Sequence, residues 1–227
     1  MIITRKGLMQ AMYRVIAKAQ LKQGVSINDR GLGETVRGLV RSGRLMTGAA
    51  FRWQNHLFVY AECMDLPVEA DALMPEAAEL LEDWPGQTDK RKWIPMIDVF
   101  HFNEPASWEH WLRKEPVERR AGRVAHLKPE MAASYIYYHY QLQEEQAFHG
   151  PKYEIIAMHE NLLFGYQEFP AVVEPPVLPG KLKTSGTPSN WSDSRMDLHF
   201  QPWEDSHLYF KPIETLFAYY VDEFRTR

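Results

Sequence analysis

The stretch "NHLFVYAE" at residues 55–62 returns as "NLLFGYQE" at residues 161–168. Five of eight positions are identical (Asn, Leu, Phe, Tyr and Glu), at an offset of 161 − 55 = 106 residues in a chain of 227. A chain that repeats itself in this way must build one kind of unit twice. Two units, each with an apolar sheet face, must then find cover for those faces, and each is the natural cover for the other.

Each copy reads as a hairpin. An apolar, strand-like run precedes it, "TGAAFRW" in the first copy and "KYEIIAMHE" in the second. The polar pairs Gln54-Asn55 and Glu160-Asn161 supply the turn. The first copy is expected to run strand 12–22, helix 28–43, strands 46–53 and 56–64, helix 75–83 and strand 93–102. The second is expected to run strand 123–128, helix 130–147, strands 152–159 and 162–169, a Pro-rich connection, and strand 195–201. Strand 12–22 rests on alternation, with Tyr13, Val15, Ala17, Ala19 and Leu21 on one face and Arg14, Lys18, Gln20 and Lys22 on the other. A helical stripe through Leu8, Met12, Val15, Ile16 and Ala19 is the alternative. "VFHFNEPASWE" and "LHFQPWE" echo each other, which pairs His101 with His199. Pro75 suits a helix start, because its missing N–H would have no partner there.

The resulting pattern is βαββαβ, the ferredoxin-like unit. The expected fold class is therefore α+β, with tandem ferredoxin-like repeats forming a pseudo-dimeric α+β barrel. Residues 1–112 form the first repeat and 113–227 the second. The stretch "PIETLFAYYVDEF" carries Ile213, Leu216, Phe217, Tyr220 and Val221 at helical spacing, which predicts a C-terminal helix. Five prolines in residues 170–190 forbid a regular helix there.

Composition narrows the function classes. The net charge of −4 gives no basic surface for nucleic acid or an anionic membrane. No run of about 20 apolar residues is present to span a bilayer. Gln10 and Arg14 interrupt the N-terminal apolar run, which argues against a signal peptide. The single cysteine, Cys63, cannot form an internal disulfide, so a reducing, cytoplasmic setting is expected. "RGLGETVRG" lacks the strand–turn–helix context and the lysine of a phosphate loop. Several histidines, His126 and His199 among them, fall in the second copy, but no tight ligand spacing appears, so no metal site is expected. No cofactor is expected either.

The chemistry-bearing stretch is "SYIYYHY", residues 134–140. Helical spacing puts Tyr135 and His139 on one face, with Tyr138 beside them. An imidazole titrates near neutral pH and can both accept and donate a proton. The alternative is plain packing, in which each phenol finds a partner without chemistry.

The stretch "RVAHLKPEMAASYIYYHY…KYEIIAMHENLLFGYQE", residues 123–168, resembles the L-rhamnose mutarotase family. The matching residues are Lys128-Pro129-Glu130, Tyr135, His139, Asn161 to Phe164 and Glu168. "HYQLQEEQ" lacks the Trp and Pro that follow the histidine in that family, and Trp191 in "SNWSDS" is the candidate remnant of its later tryptophans. The resemblance implies a cofactor-free exchange of sugar anomers, with His139 and Tyr135 catalytic and Tyr138, Trp191 and His199 binding substrate. Such a protein has a small-molecule partner, a sugar, and exists as a monomeric pseudo-dimer or a homodimer. Two other classes stay open: another α+β-barrel activity, such as cofactor-independent monooxygenation or haem binding, and non-catalytic ligand binding.

Overall fold

The computed structural model describes residues 11–25, 27, 31–85 and 90–221. It combines helices with two antiparallel five-stranded sheets, so the chain is of α+β class. Strands β1 (Met12–Gln20), β2 (Leu45–Trp53), β3 (His56–Met64) and β4 (Ile94–Pro95) belong to the first sheet. Strands β5 (Ile97–His101), β6 (Arg119–His126), β7 (Ile155–His159), β8 (Leu162–Phe169) and β9 (Lys211–Pro212) form the second. Strand β10 (Glu214–Tyr220) returns to the first. The orders are β10-β2-β3-β1-β4 and β5-β7-β8-β6-β9. A single residue, Met96, separates β4 from β5, and a single residue, Ile213, separates β9 from β10. At each of these two corners the chain leaves one sheet and joins the other.

The duplication is written in the hydrogen bonds. Tyr13 pairs with Cys63, and 106 residues later Arg119 pairs with Phe169. Ala49 pairs with Tyr60, and Ile155 with Tyr166. Gln54 and Glu160 share a left-handed φ of 54°. Asn55 accepts from Leu21 N–H at 2.7 Å, and Asn161 from Leu127 N–H at 2.8 Å. Met96 N–H donates to Ile16 at 2.9 Å, and Ile213 N–H to Gly122 at 3.0 Å. Even the irregularities match: β5 against β7 shifts register between Asp98 and Phe100, and β10 against β2 shifts between Thr215 and Phe217.

The repeated residues sort by strand parity. Phe58 and Tyr60, like Phe164 and Tyr166, point between the sheets and pack with Ile16, Phe51, Val124 and Ile155. Leu57 and Leu163 point outward into separate cores. The outer face of the first sheet is covered by α1 (Glu34–Arg41) through Val36 and Val40. That of the second is covered by α4 (Ala132–Glu145) through Tyr135 and Leu142. Both faces of β1 are therefore buried from Ile16 to Ala19, and the Arg14–Lys18 face looks between the sheets rather than at solvent. Two shorter helices, α2 (Ala70–Leu73) and α3 (Trp108–Trp111), lie in the connections.

Several expectations are corrected. The C-terminal helix is a strand, β10, and Asp222 to Phe224 lie outside the described residues. Its register shift turns Leu216 and Phe217 to the same outer side, while Ile213 and Ala218 face inward. That change of parity imitates helical spacing. Helix 75–83 is a 3₁₀ turn, Pro75–Leu80, after which Leu81 is extended and bridges Leu21. Strand 195–201 is two 3₁₀ turns, Trp191–Ser194 and Met196–Leu198, and only Phe200 makes a bridge, to Leu127. His101 and His199 are consequently not equivalent: His101 ends β5, and His199 follows a turn. Helix 28–43 begins at Glu34, and residues 28–30 lie outside the described set. A division at residue 112 follows the repeat along the chain but does not separate the sheets, since β5 and β10 each belong to the sheet of the other half.

Candidate functional site

The residues singled out on α4 do meet. The rings of Tyr135 and His139 lie 3.9 Å apart, His139 is 5.4 Å from Trp191, and His199 is 6.1 Å from Tyr138. Two of them are largely buried. His139 is 7% exposed and Tyr135 1%. The imidazole sits edge-on to Phe100 and Trp191, and its Nδ1 bonds the carbonyl of Tyr135 at 2.9 Å. His199 is held through Nε2 by Ser134 Oγ at 2.8 Å and through Nδ1 by Arg195 O at 3.1 Å. Burial drives the His139 pKa down to about 4, against the opposing bond to Tyr135 O, and His199 lowers it further. Burial raises the Tyr135 phenol. The ring of His139 is largely buried in an aromatic layer, where the expectation was a solvent-reachable pocket. Burying a neutral imidazole against rings is the stable arrangement once the loop carrying Trp191 folds over α4.

Between the sheets the side chains form layers. In the middle, Phe58 stacks on Phe164 at 4.8 Å and Tyr60 on Tyr166 at 3.9 Å. At one end, the equivalent carboxylates Glu62 and Glu168 share one guanidinium. Arg113 donates to Glu62 Oε2 at 2.7 Å and Oε1 at 2.9 Å, and to Glu168 Oε2 at 2.9 Å and Oε1 at 2.8 Å. Trp111 Nε1 adds a bond to Glu62 at 2.8 Å. The Tyr153 ring lies 4.0 Å from the guanidinium carbon. Burial pushes Glu168 up, but Arg113, Arg120 and the Tyr166 hydroxyl together hold it below the usual carboxylate range. The charges in this layer are closely paired, which is what a buried ion cluster requires.

The opposite end is different in kind. Trp53 stacks on His56 at 5.6 Å and meets His126 at 5.4 Å, and Trp203 lies 5.3 Å from His126. Trp53, His126 and Trp203, with Gln201, Glu204 and Lys211, line an open cleft of about 420 Å³. His126 projects from the last residue of β6, where the strand reaches the rim. Among the described residues its ring nitrogens have no hydrogen-bond partner, and neither is sealed from solvent. Burial and the nearby Lys18 lower its pKa. His56, beside it, is lowered to about 4 by burial first, then by Lys18 and His126. Both imidazoles are thus neutral at pH 7 and are proton acceptors. Among the described residues no group of three metal-binding side chains converges. No helix among them is long and apolar enough to cross a membrane.

Reading the sequence for chemistry picked out α4 and passed over Arg113, Lys18 and the two indoles. A signal for the charged layer was present: the duplicated Phe-x-Tyr-x-Glu puts a carboxylate on the same face as two buried rings. For the cleft there was little, since Trp53 and Trp203 are far apart in the chain. Comparison with protein-family models, with curated proteins and with solved structures finds no match for this chain.

Proposed function

We propose that the chain is a tandem pair of ferredoxin-like units closed into one α+β barrel, and that it binds a small polyhydroxylated ring compound at the Trp53–His126–Trp203 mouth. The matching registers of the two sheets support the first part. The observation that carries the second is an unpartnered, neutral imidazole set between two indoles in an open cleft. Indole faces give apolar contact to the C–H side of a sugar ring, and Gln201, Glu204 and Lys211 offer polar contacts around it. Anomer exchange, the reaction implied by the mutarotase resemblance, needs a base for the anomeric hydroxyl and an acid for the ring oxygen. His126 is the base in this reading, and Glu204 and Lys211 are the other titratable groups on the wall. The largely buried His139 acts as packing in this reading.

The test is anomer exchange by NMR on L-rhamnose and a panel of common aldoses. Wild type and His139→Phe are expected to accelerate exchange, and His126→Ala to lose the effect. Loss in His139→Phe with retention in His126→Ala would return the site to α4. No line broadening or acceleration with any sugar would overturn the reading.

A further inference from the structure

Lys18 sits where a lysine is rarely left alone. On β1 it pairs with Phe58 on one side and Ile94 on the other, and its side chain shares the parity of Ile16, between the sheets. The residue is 3% exposed. Among the described residues its amine has no hydrogen-bond partner and no carboxylate within salt-bridge reach. Lys152, equally buried, makes the contrast: its amine bonds Glu174 at 2.8 Å and the carbonyl of His110 at 2.8 Å. The Lys18 amine lies over the Trp84 ring, 5.1 Å from Nζ to the centroid. Lys18 acts electrostatically on His56, His126 and His159. The Nδ1 atoms of His56 and His159 are sealed without partners, whereas the Lys18 amine is not sealed.

A buried amine without a directly paired carboxylate is pushed toward its neutral form, because desolvation penalises the ammonium. Burial lowers Lys18, with Glu160 acting against it. A neutral amine has a free lone pair, and that is the property a carbonyl-trapping lysine needs.

We propose that Lys18 is a carbonyl-reactive amine between the two sheets, forming a reversible imine with small aldehydes, including the open-chain form of an aldose. The amine lone pair attacks the carbonyl carbon and makes the C–N bond. The carbonyl oxygen then leaves as water with the two amine protons, and C=N remains. The inference goes beyond the reading of the Trp53–His126–Trp203 cleft, which Lys18 does not line, and it does not require that the ligand be a sugar.

Glycolaldehyde with cyanoborohydride at pH 7 tests it on the intact wild-type chain, since the reductant converts the imine into a stable alkylamine. Peptide mass spectrometry at short times is expected to find Lys18 modified at least several-fold ahead of the exposed Lys90 and Lys114, with Lys152 protected. In urea the preference is expected to vanish. Lys18 modified no faster than Lys90, or protected like Lys152, would overturn the proposal. Because the probe is a two-carbon aldehyde, this outcome is independent of the sugar assay. Failure of anomer exchange with Lys18 still labelled first would remove the sugar and leave the amine.

Discussion

The phenol rings of Tyr60 and Tyr166 stack at 3.9 Å with 18° between their planes, and each hydroxyl donates to the glutamate two residues on, at 2.8 Å to Glu62 and 2.6 Å to Glu168. Equivalent residues of the two halves therefore touch, and their carboxylates converge on Arg113. Removing that guanidinium leaves two buried carboxylates without their main partner. Arg113→Met is expected to lose about 3–5 kcal/mol in urea unfolding at pH 7. The native pairing lowers Glu168, so its contribution is full above the unfolded carboxylate pKa and is lost as pH falls through the folded value. The deficit of the variant is expected to shrink in acid accordingly. A loss below about 1 kcal/mol at pH 7 would mean that water reaches the cluster.

His139 gives a pH signature of opposite origin. Its folded pKa is about 4, below that of a free imidazole. The unfolded chain takes up a proton near pH 6.5 and the folded one does not. Stability is therefore full above about 6.5 and falls by on the order of 3 kcal/mol as pH drops toward 4. His139→Phe is expected to lack this slope while keeping the fold. Parallel pH–stability curves for the two proteins would contradict the depressed His139 pKa.

Lys18 lowers both His56 and His126. Lys18→Met is expected to raise the titration midpoints of both rings, followed by NMR of the imidazole carbons, with His56 starting near 4. Unchanged midpoints would place the amine too far away to act on them.

The Pro-rich connection is strapped to α4 by two adjacent glutamates. Glu145 accepts from Thr184 Oγ1 at 2.5 Å, Thr187 Oγ1 at 2.6 Å, and the N–H groups of Gly186 and Thr187 at 2.8 Å each. Glu144 accepts from Lys181 N–H and Nζ, both at 3.0 Å. Burial raises the Glu145 carboxyl, but its donors prevail and hold it at about 2. The strap is expected to stay closed from neutral pH down to about pH 4 and to loosen as pH falls toward 2. Glu145→Ala is expected to speed tryptic cleavage at Lys181 and Lys183 with little change in Tm. Equal cleavage rates would show that the prolines alone hold the loop.

The hairpins were legible because turn residues and strand parity act over a few neighbours. Gln54-Asn55 and Glu160-Asn161 turn as their polarity suggests, and Phe58, Tyr60 and Glu62 alternate with Leu57 and Val59 as strand residues must. The last strand was not legible, because one register shift near Leu216 converts a period of two into something close to a helical stripe. The α4 residues were rightly grouped, since helical spacing brings Tyr135 to His139. Their burial depends on Trp191, delivered by a loop whose path no local rule fixes. Lys18 looked solvated because alternation shows that two faces differ, and cannot show that a second sheet waits on the polar one.

The crossing of β10 into the first sheet also sets an order of events in time. Thr47 on β2 has its hydroxyl bonded to the carbonyl of Tyr219, 172 residues further along the chain, at 2.8 Å. During synthesis that interval is roughly 10 to 30 s. For all of it β2 is an open edge, rich in small and apolar residues and ready to pair with any passing strand. The first sheet therefore cannot complete its β2 edge until the last described strand has been made.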